Sequence, residues 1–210
     1  MKYFKLYEQY SQYQGKDLVV VDIQPEYEGG FGFATEDYIN FLNENHEMFN
    51  SITILYNGES LGMVSEYEYK DWFYMNGLDE DVMDSLEFYD KGYAFFRFCM
   101  DSDIEDELTV LLIKYMIAND INETRDIEEE TWDELIAHYN EMGVDMSDVR
   151  ELLEHSGDMI NIPDLMDELR GLRSGNILLT GGHTQECLRE VVIALNALDM
   201  EFDMFDEFTY

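Results

Sequence analysis

Hydrophobic positions along the chain follow two spacings: short unbroken apolar runs stand between longer stretches whose apolar residues recur every three or four positions. Asp17-Leu18-Val19-Val20-Val21-Asp22-Ile23, with Gly15 before it and Pro25 after it, is β-branched and does not alternate. That pattern predicts a strand buried on both faces of a parallel sheet. Ser51-Ile52-Thr53-Ile54-Leu55-Tyr56, ending at Asn57-Gly58, predicts a second. Between them, Tyr38, Phe41, Leu42, Asn45 and Phe49 fall near one stripe of a helix over 36–49. The chain therefore opens β-α-β.

Residues 66–89 read as helical or irregular, and a third strand is expected at Gly92-Tyr93-Ala94-Phe95-Phe96-Arg97-Phe98-Cys99. Leu108, Leu111, Leu112 and Tyr115 place a helix over 104–118. From Asn119 to Gly175 the pattern stays helical but very acidic, with Ser147 and Pro163 suited to helix starts and Leu152, Leu153, Leu165 and Leu169 expected to face inward. A fourth strand, Asn176–Thr180, runs into Gly181-Gly182. A helix over 187–198 follows, with Leu188, Val191, Val192, Leu195 and Leu198 inward, and then a last strand over 201–205. Alternating strands and helices imply an α/β fold, a three-layer sandwich around a mostly parallel sheet, with the acidic segment 119–175 as a helical elaboration. No repeat or linker divides the 210 residues, so one domain over 1–210 is expected.

Charge narrows the choice of partner. Twelve Lys and Arg against 48 Asp and Glu give a net charge of −36, which repels nucleic-acid phosphates and anionic membranes. The excess fits a solvated surface, adaptation to high salt, or mimicry of nucleic acid directed at a basic protein partner. With 46% hydrophobic residues the chain has the material for a core. Cys99 and Cys187 are too few for a disulfide scaffold and suit thiols in a reducing compartment. The segment Met1–Tyr10 lacks the apolar stretch of a secretory signal, and no apolar run reaches the roughly 20 residues that span a bilayer. A cytoplasmic protein is expected. Tyr67, Tyr69, Trp72, Phe73 and Tyr74 suit the core and also admit a lid or a subunit contact in a homo-oligomer. Gly29-Gly30-Phe31-Gly32 reads as a flexible loop beside the site rather than a dinucleotide motif.

In open α/β sheets ligands bind beyond the carboxyl ends of the strands. The residues there are Asp22 and Gln24, Asn57 and Glu59, Arg97 and Cys99, and His183 to Cys187. The run Thr180-Gly181-Gly182-His183-Thr184-Gln185-Glu186-Cys187 sets a cysteine at a helix start after a glycine-rich turn. There the helix dipole lowers a thiol pKa and backbone N–H groups can hold an oxyanion. The alternative is a small buried apolar cysteine.

That run, with Leu188 and Ala194-Leu195-Asn196-Ala197-Leu198, resembles the T-G-x-x-T-x-x-C-V…A…A segment of the isochorismatase-like cysteine hydrolases, which include nicotinamidases. Asp22-Ile23-Gln24-Pro25-Glu26-Tyr27 resembles that family's D-x-Q-x-x-F opening. The resemblance implies a hydrolase in which a cysteine thiolate attacks an amide-like carbonyl, an aspartate manages the thiol proton and a lysine at the end of the third strand supports the charge. By position, Cys187 is the expected nucleophile and Asp22 the expected acid/base, with the Cys187 N–H in the oxyanion hole. Gln24, Gly182, His183 and Thr184 are the expected substrate contacts. The expected third strand carries Arg97 where the family has lysine, and arginine is not an equivalent cation; Asp22 also reads as a turn residue and Arg97 as half of a salt bridge. Asn57-Gly58-Glu59-Ser60-Leu61-Gly62 lacks the histidines of the nicotinamidase metal site, and His46, His138, His155 and His183 are scattered, so no metal or cofactor is expected. The substrate expected is a small amide or related carbonyl compound. The competing expectation is a catalytically reduced relative whose acidic surface binds a basic protein.

Overall fold

A computed structural model describes residues 10–58, 64–91, 106–147, 149–150 and 163–210. The strands are β1 (Asp17–Val21), β2 (Ser51–Tyr56), β3 (Leu86–Asp90), β4 (Ile177–Gly181) and β5 (Phe202–Thr209). They form one five-stranded sheet in the order β3-β2-β1-β4-β5, and every pairing is parallel. In β1, Leu18 and Val20 point to one face and Val19 and Val21 to the other, and all four are fully buried. The class is therefore the expected α/β: a wholly parallel sheet whose central strand is covered on both faces, as the middle layer of a three-layer sandwich must be.

The described residues fall into two compact units, one from 1–92, 172–184 and 201–210, the other from 93–171 and 185–200. The first holds the sheet with helices α1 (Thr35–Asn45), α2 (Glu66–Met75) and α3 (Glu80–Met83). Its core joins Leu18, Val20, Ile52, Ile54 and Leu178 to Tyr38, Phe41 and Leu42 of α1 and Tyr69 and Phe73 of α2. Ser65 starts α2 with a capping box, its hydroxyl accepting from the Glu68 N–H while the Glu68 carboxylate accepts from the Ser65 N–H. Tyr69 and Phe73 thus belong to the core, whereas Tyr67 and Tyr74 are exposed. Residues Pro25–Gly30 form a short 3-10 helix that takes in Gly29 and Gly30 of the loop expected over 29–32, and Pro25 sets the φ of its first turn.

One strand falls where none is expected. It is Leu86–Asp90, inside a stretch that reads as helical or irregular, and it pairs with β2 through Ile54↔Phe88 and Tyr56↔Asp90. As an edge strand it exposes Glu87 and Asp90, so its sequence lacks the apolar run of a strand buried on both faces. The expected strand at 92–99 lies outside the described residues.

The second unit is helical, with α4 (Asp106–Ala118), α5 (Glu129–Glu141), α6 (Pro163–Arg170) and α7 (Cys187–Ala197). α7 packs against α4 and α6 and is buried nearly all round, through Leu188, Val191, Ile193, Ala194 and Leu195. Arg189 of α7 pairs with Asp106 of α4 at 2.6 Å, and the Tyr139 hydroxyl donates to the Leu111 carbonyl at 2.9 Å. In the acidic segment Leu165 and Leu169 face inward, while Glu129, Glu130, Asp133 and Glu134 are exposed. Leu152 and Leu153 lie outside the described residues.

Candidate active site

Three neighbouring strands end in three polar side chains that meet. Beyond β1 stands Asp22, beyond β2 Asn57 and beyond β3 Lys91. The parallel register brings them level, since Val21 pairs with Leu55 and Tyr56 with Asp90. Lys91 Nζ lies 3.3 Å from Asp22 Oδ2, and both side chains are 0% exposed. Asn57 stands between them: its Nδ2 donates to Asp22 Oδ2 at 3.1 Å and its Oδ1 accepts from Lys91 Nζ at 3.0 Å. A buried pair of opposite charges survives desolvation only with further hydrogen bonds of this kind.

The frame around the pair is built from backbone. The Asp22 N–H donates to the Leu55 carbonyl at 2.9 Å and the Lys91 N–H to the Tyr56 carbonyl at 3.0 Å, which extends the ladder past the strand ends. Asp22 has φ +50°, a left-handed conformation that aspartate tolerates better than most residues. Gln24 grips the Asn57 backbone from both sides, accepting from its N–H at 3.0 Å and donating to its carbonyl at 3.4 Å. Tyr27, in the 3-10 helix, accepts a second bond from Asn57 Nδ2 at 3.2 Å. Tyr69 donates to the Ile23 carbonyl, and burial, before any neighbouring charge, pushes its hydroxyl pKa well up.

The glycine pair after β4 closes the other side. Gly181 has φ +109°, and a Cβ there would sit 2.0 Å from the Val21 carbonyl oxygen. A Cβ on Gly182 would sit 2.3 Å from the Tyr210 ring. Both positions therefore need glycine for close approach. Tyr210 in turn donates its hydroxyl to the Asp22 carbonyl at 2.8 Å, and its own carbonyl accepts from the Thr184 N–H at 2.8 Å.

Of the expected site residues, the first unit brings together Asp22 and Gln24, with Gly182 tied to the end of β1 through its N–H and the Val21 carbonyl at 2.9 Å. His183 and Thr184 are exposed in the turn, and the His183 ring stands edge-on to Tyr210 at 6.1 Å. Cys187 belongs to the second unit, where it is the first residue of α7 and 4% exposed; an α-helix N-terminus favours a thiolate. Arg97 lies outside the described residues. The cation at the end of β3 is Lys91, which does not stand out in the sequence because no strand is expected over Leu86–Asp90. The signal in the sequence was a lysine in a chain of only 12 basic residues, directly after Leu-Glu-Phe-Tyr-Asp. Among the described residues no group of three or more His, Cys, Asp and Glu could hold a metal ion, and no helix is long and apolar enough to cross a membrane. No protein-family model, curated protein or solved structure matches the chain.

Proposed function

We propose that the chain is a cysteine hydrolase of the isochorismatase-like kind, cleaving a small amide or related carbonyl compound. The observation that carries this reading is the buried Asp22–Lys91 ion pair at the carboxyl end of the sheet. An ion pair so placed is costly to fold around, and it supplies the two groups that a thiol nucleophile needs, a proton acceptor and a fixed positive charge. Cys187, which opens the helix that follows Gly181-Gly182 in the chain, is the thiol the reading assigns.

The reaction that the resemblance to isochorismatase-like hydrolases implies, with Cys187 as nucleophile and Asp22 as acid/base, balances in two halves. In the first, the Cys187 thiol gives its proton to the Asp22 carboxylate, the sulfur bonds to the substrate carbonyl carbon, and the C–N bond breaks as the nitrogen takes the proton from Asp22 and leaves as amine or ammonia. In the second, Asp22 takes a proton from water, the hydroxide oxygen bonds to the thioester carbon, and the sulfur leaves as thiolate and recovers that proton. Lys91 keeps its charge throughout. Lysine at the strand end supplies the cation that arginine at 97 put in doubt, while the net charge of −36, which favours the competing reading of a basic protein partner, stands. Screening small amides for ammonia release by wild type, Cys187→Ala and Lys91→Met tests the reading. Turnover by the wild type alone supports it, and turnover surviving in Cys187→Ala rejects it.

A further inference from the structure

We infer that Asn57 is a positioning residue for the Asp22–Lys91 pair, keeping Lys91 solvated by protein while Asp22 carries a proton. The inference rests on the proposed hydrolase reading for its role in turnover, but its geometry belongs wholly to the first unit. Lys91 Nζ lies 3.3 Å from Asp22 Oδ2 and donates to Asn57 Oδ1 at 3.0 Å. Each time Asp22 accepts the thiol or water proton, its carboxylate becomes neutral and its hold on the ammonium weakens. A fully buried cation then leans more on its other acceptors, and Asn57 Oδ1 is one that carries no charge of its own.

Asparagine is suited to this because one amide carries both polarities. Its Nδ2 donates to Asp22 Oδ2 at 3.1 Å and to the Tyr27 hydroxyl at 3.2 Å, while its Oδ1 faces the ammonium. Aspartate at 57 would set a second carboxylate against Asp22. Alanine would remove one hydrogen bond from each ion. Gln24 holds the backbone from which this amide projects, through the Asn57 N–H and carbonyl.

The test is the titration of the Asp22 carboxyl carbon by NMR in the substrate-free chain, in wild type, Asn57→Ala and Asn57→Asp. Loss of a hydrogen bond to the charged form raises a carboxyl midpoint, so Asn57→Ala should shift it upward by about one unit or more. The isosteric Asn57→Asp should shift it upward as well, by like-charge repulsion, and guards against a cavity effect in the alanine variant. Where amides are hydrolysed, kcat should fall tenfold or more with KM little changed, and the acid limb of the pH profile should move with the midpoint. An Asp22 midpoint unmoved in both variants overturns the inference. A shifted midpoint in a wild type that cleaves no amide rejects the hydrolase reading while leaving the positioning of the pair by Asn57 intact.

Discussion

Lys91 reaches past the end of β2 to place its ammonium 3.3 Å from the Asp22 carboxylate, with neither side chain open to solvent. Because the pair is buried, removing one partner strands the other. Lys91→Met should destabilise the chain by about 3–5 kcal/mol in urea unfolding. Combining it with Asp22→Asn should cost less than the two single changes added together, since the double variant buries no uncompensated charge. Additive losses would mean that the two groups do not act as a pair.

At the opposite end of β1, Asp17 fastens three strands. Its carboxylate accepts from Asn50 Nδ2 at 2.6 Å and Ser51 Oγ at 2.9 Å beside β2, and from Asn176 Nδ2 at 3.3 Å before β4. Burial, the largest influence, works to raise its pKa, but these bonds and one from the Arg173 N–H outweigh it, so the group lies below the usual aspartate value. A depressed folded pKa contributes stability that is fully present above the unfolded value of about 3.9 and is lost as pH falls through the lower folded value. Asp17→Asn should therefore be less stable than wild type at neutral pH, with the difference narrowing as the pH drops below 4. A difference independent of pH across that window would contradict this.

Tyr38 is a fully buried phenol whose hydroxyl finds no hydrogen-bond partner among the described residues, and burial raises its pKa far above the ordinary value. An unsatisfied buried hydroxyl costs stability, so Tyr38→Phe should stabilise the chain by about 1 kcal/mol in chemical unfolding. A raised folded pKa contributes stability present below the unfolded value of about 10 and lost as pH rises above it. The phenylalanine variant should thus resist alkaline unfolding better than wild type. A destabilised variant would show that the hydroxyl is satisfied after all.

Much of this architecture is legible in the sequence because burial on both faces leaves a plain mark. Leu18-Val19-Val20-Val21 and Ile52-Thr53-Ile54-Leu55 are strands where they are expected, and α7 begins at Cys187 as expected. β5 runs on to Thr209, past the expected Phe205, since Asp206-Glu207 breaks the apolar pattern while the pairing with β4 resumes, after a register shift, at Gly181↔Thr209. β3 was not legible because Leu-Glu-Phe-Tyr-Asp, at the edge of the sheet among the described residues, is half exposed and lacks an unbroken apolar run. Lys91 was lost with it, since a lysine's meaning depends on which end of a strand it occupies. Asp22 and Gln24 were legible because they follow a strand that is unmistakable. Asn57 was visible at a strand end, but its role depends on Lys91.

Cys187 should tolerate the loss of its sulfur. It is buried at the first turn of α7, and Cys187→Ala removes one atom, so the expected cost is about 1 kcal/mol in thermal or urea unfolding. Its effect on hydrolysis should be complete. A variant that unfolds would assign Cys187 to packing.

The central proposal is a reactive thiol at Cys187, and the rate of Cys187 alkylation by iodoacetamide at neutral pH, followed by mass spectrometry, tests it most directly. The account predicts that Cys187 reacts faster than Cys99 in the folded wild type, because the N-terminus of α7 favours a thiolate. Alkylation of Cys187 no faster than that of Cys99 would contradict it.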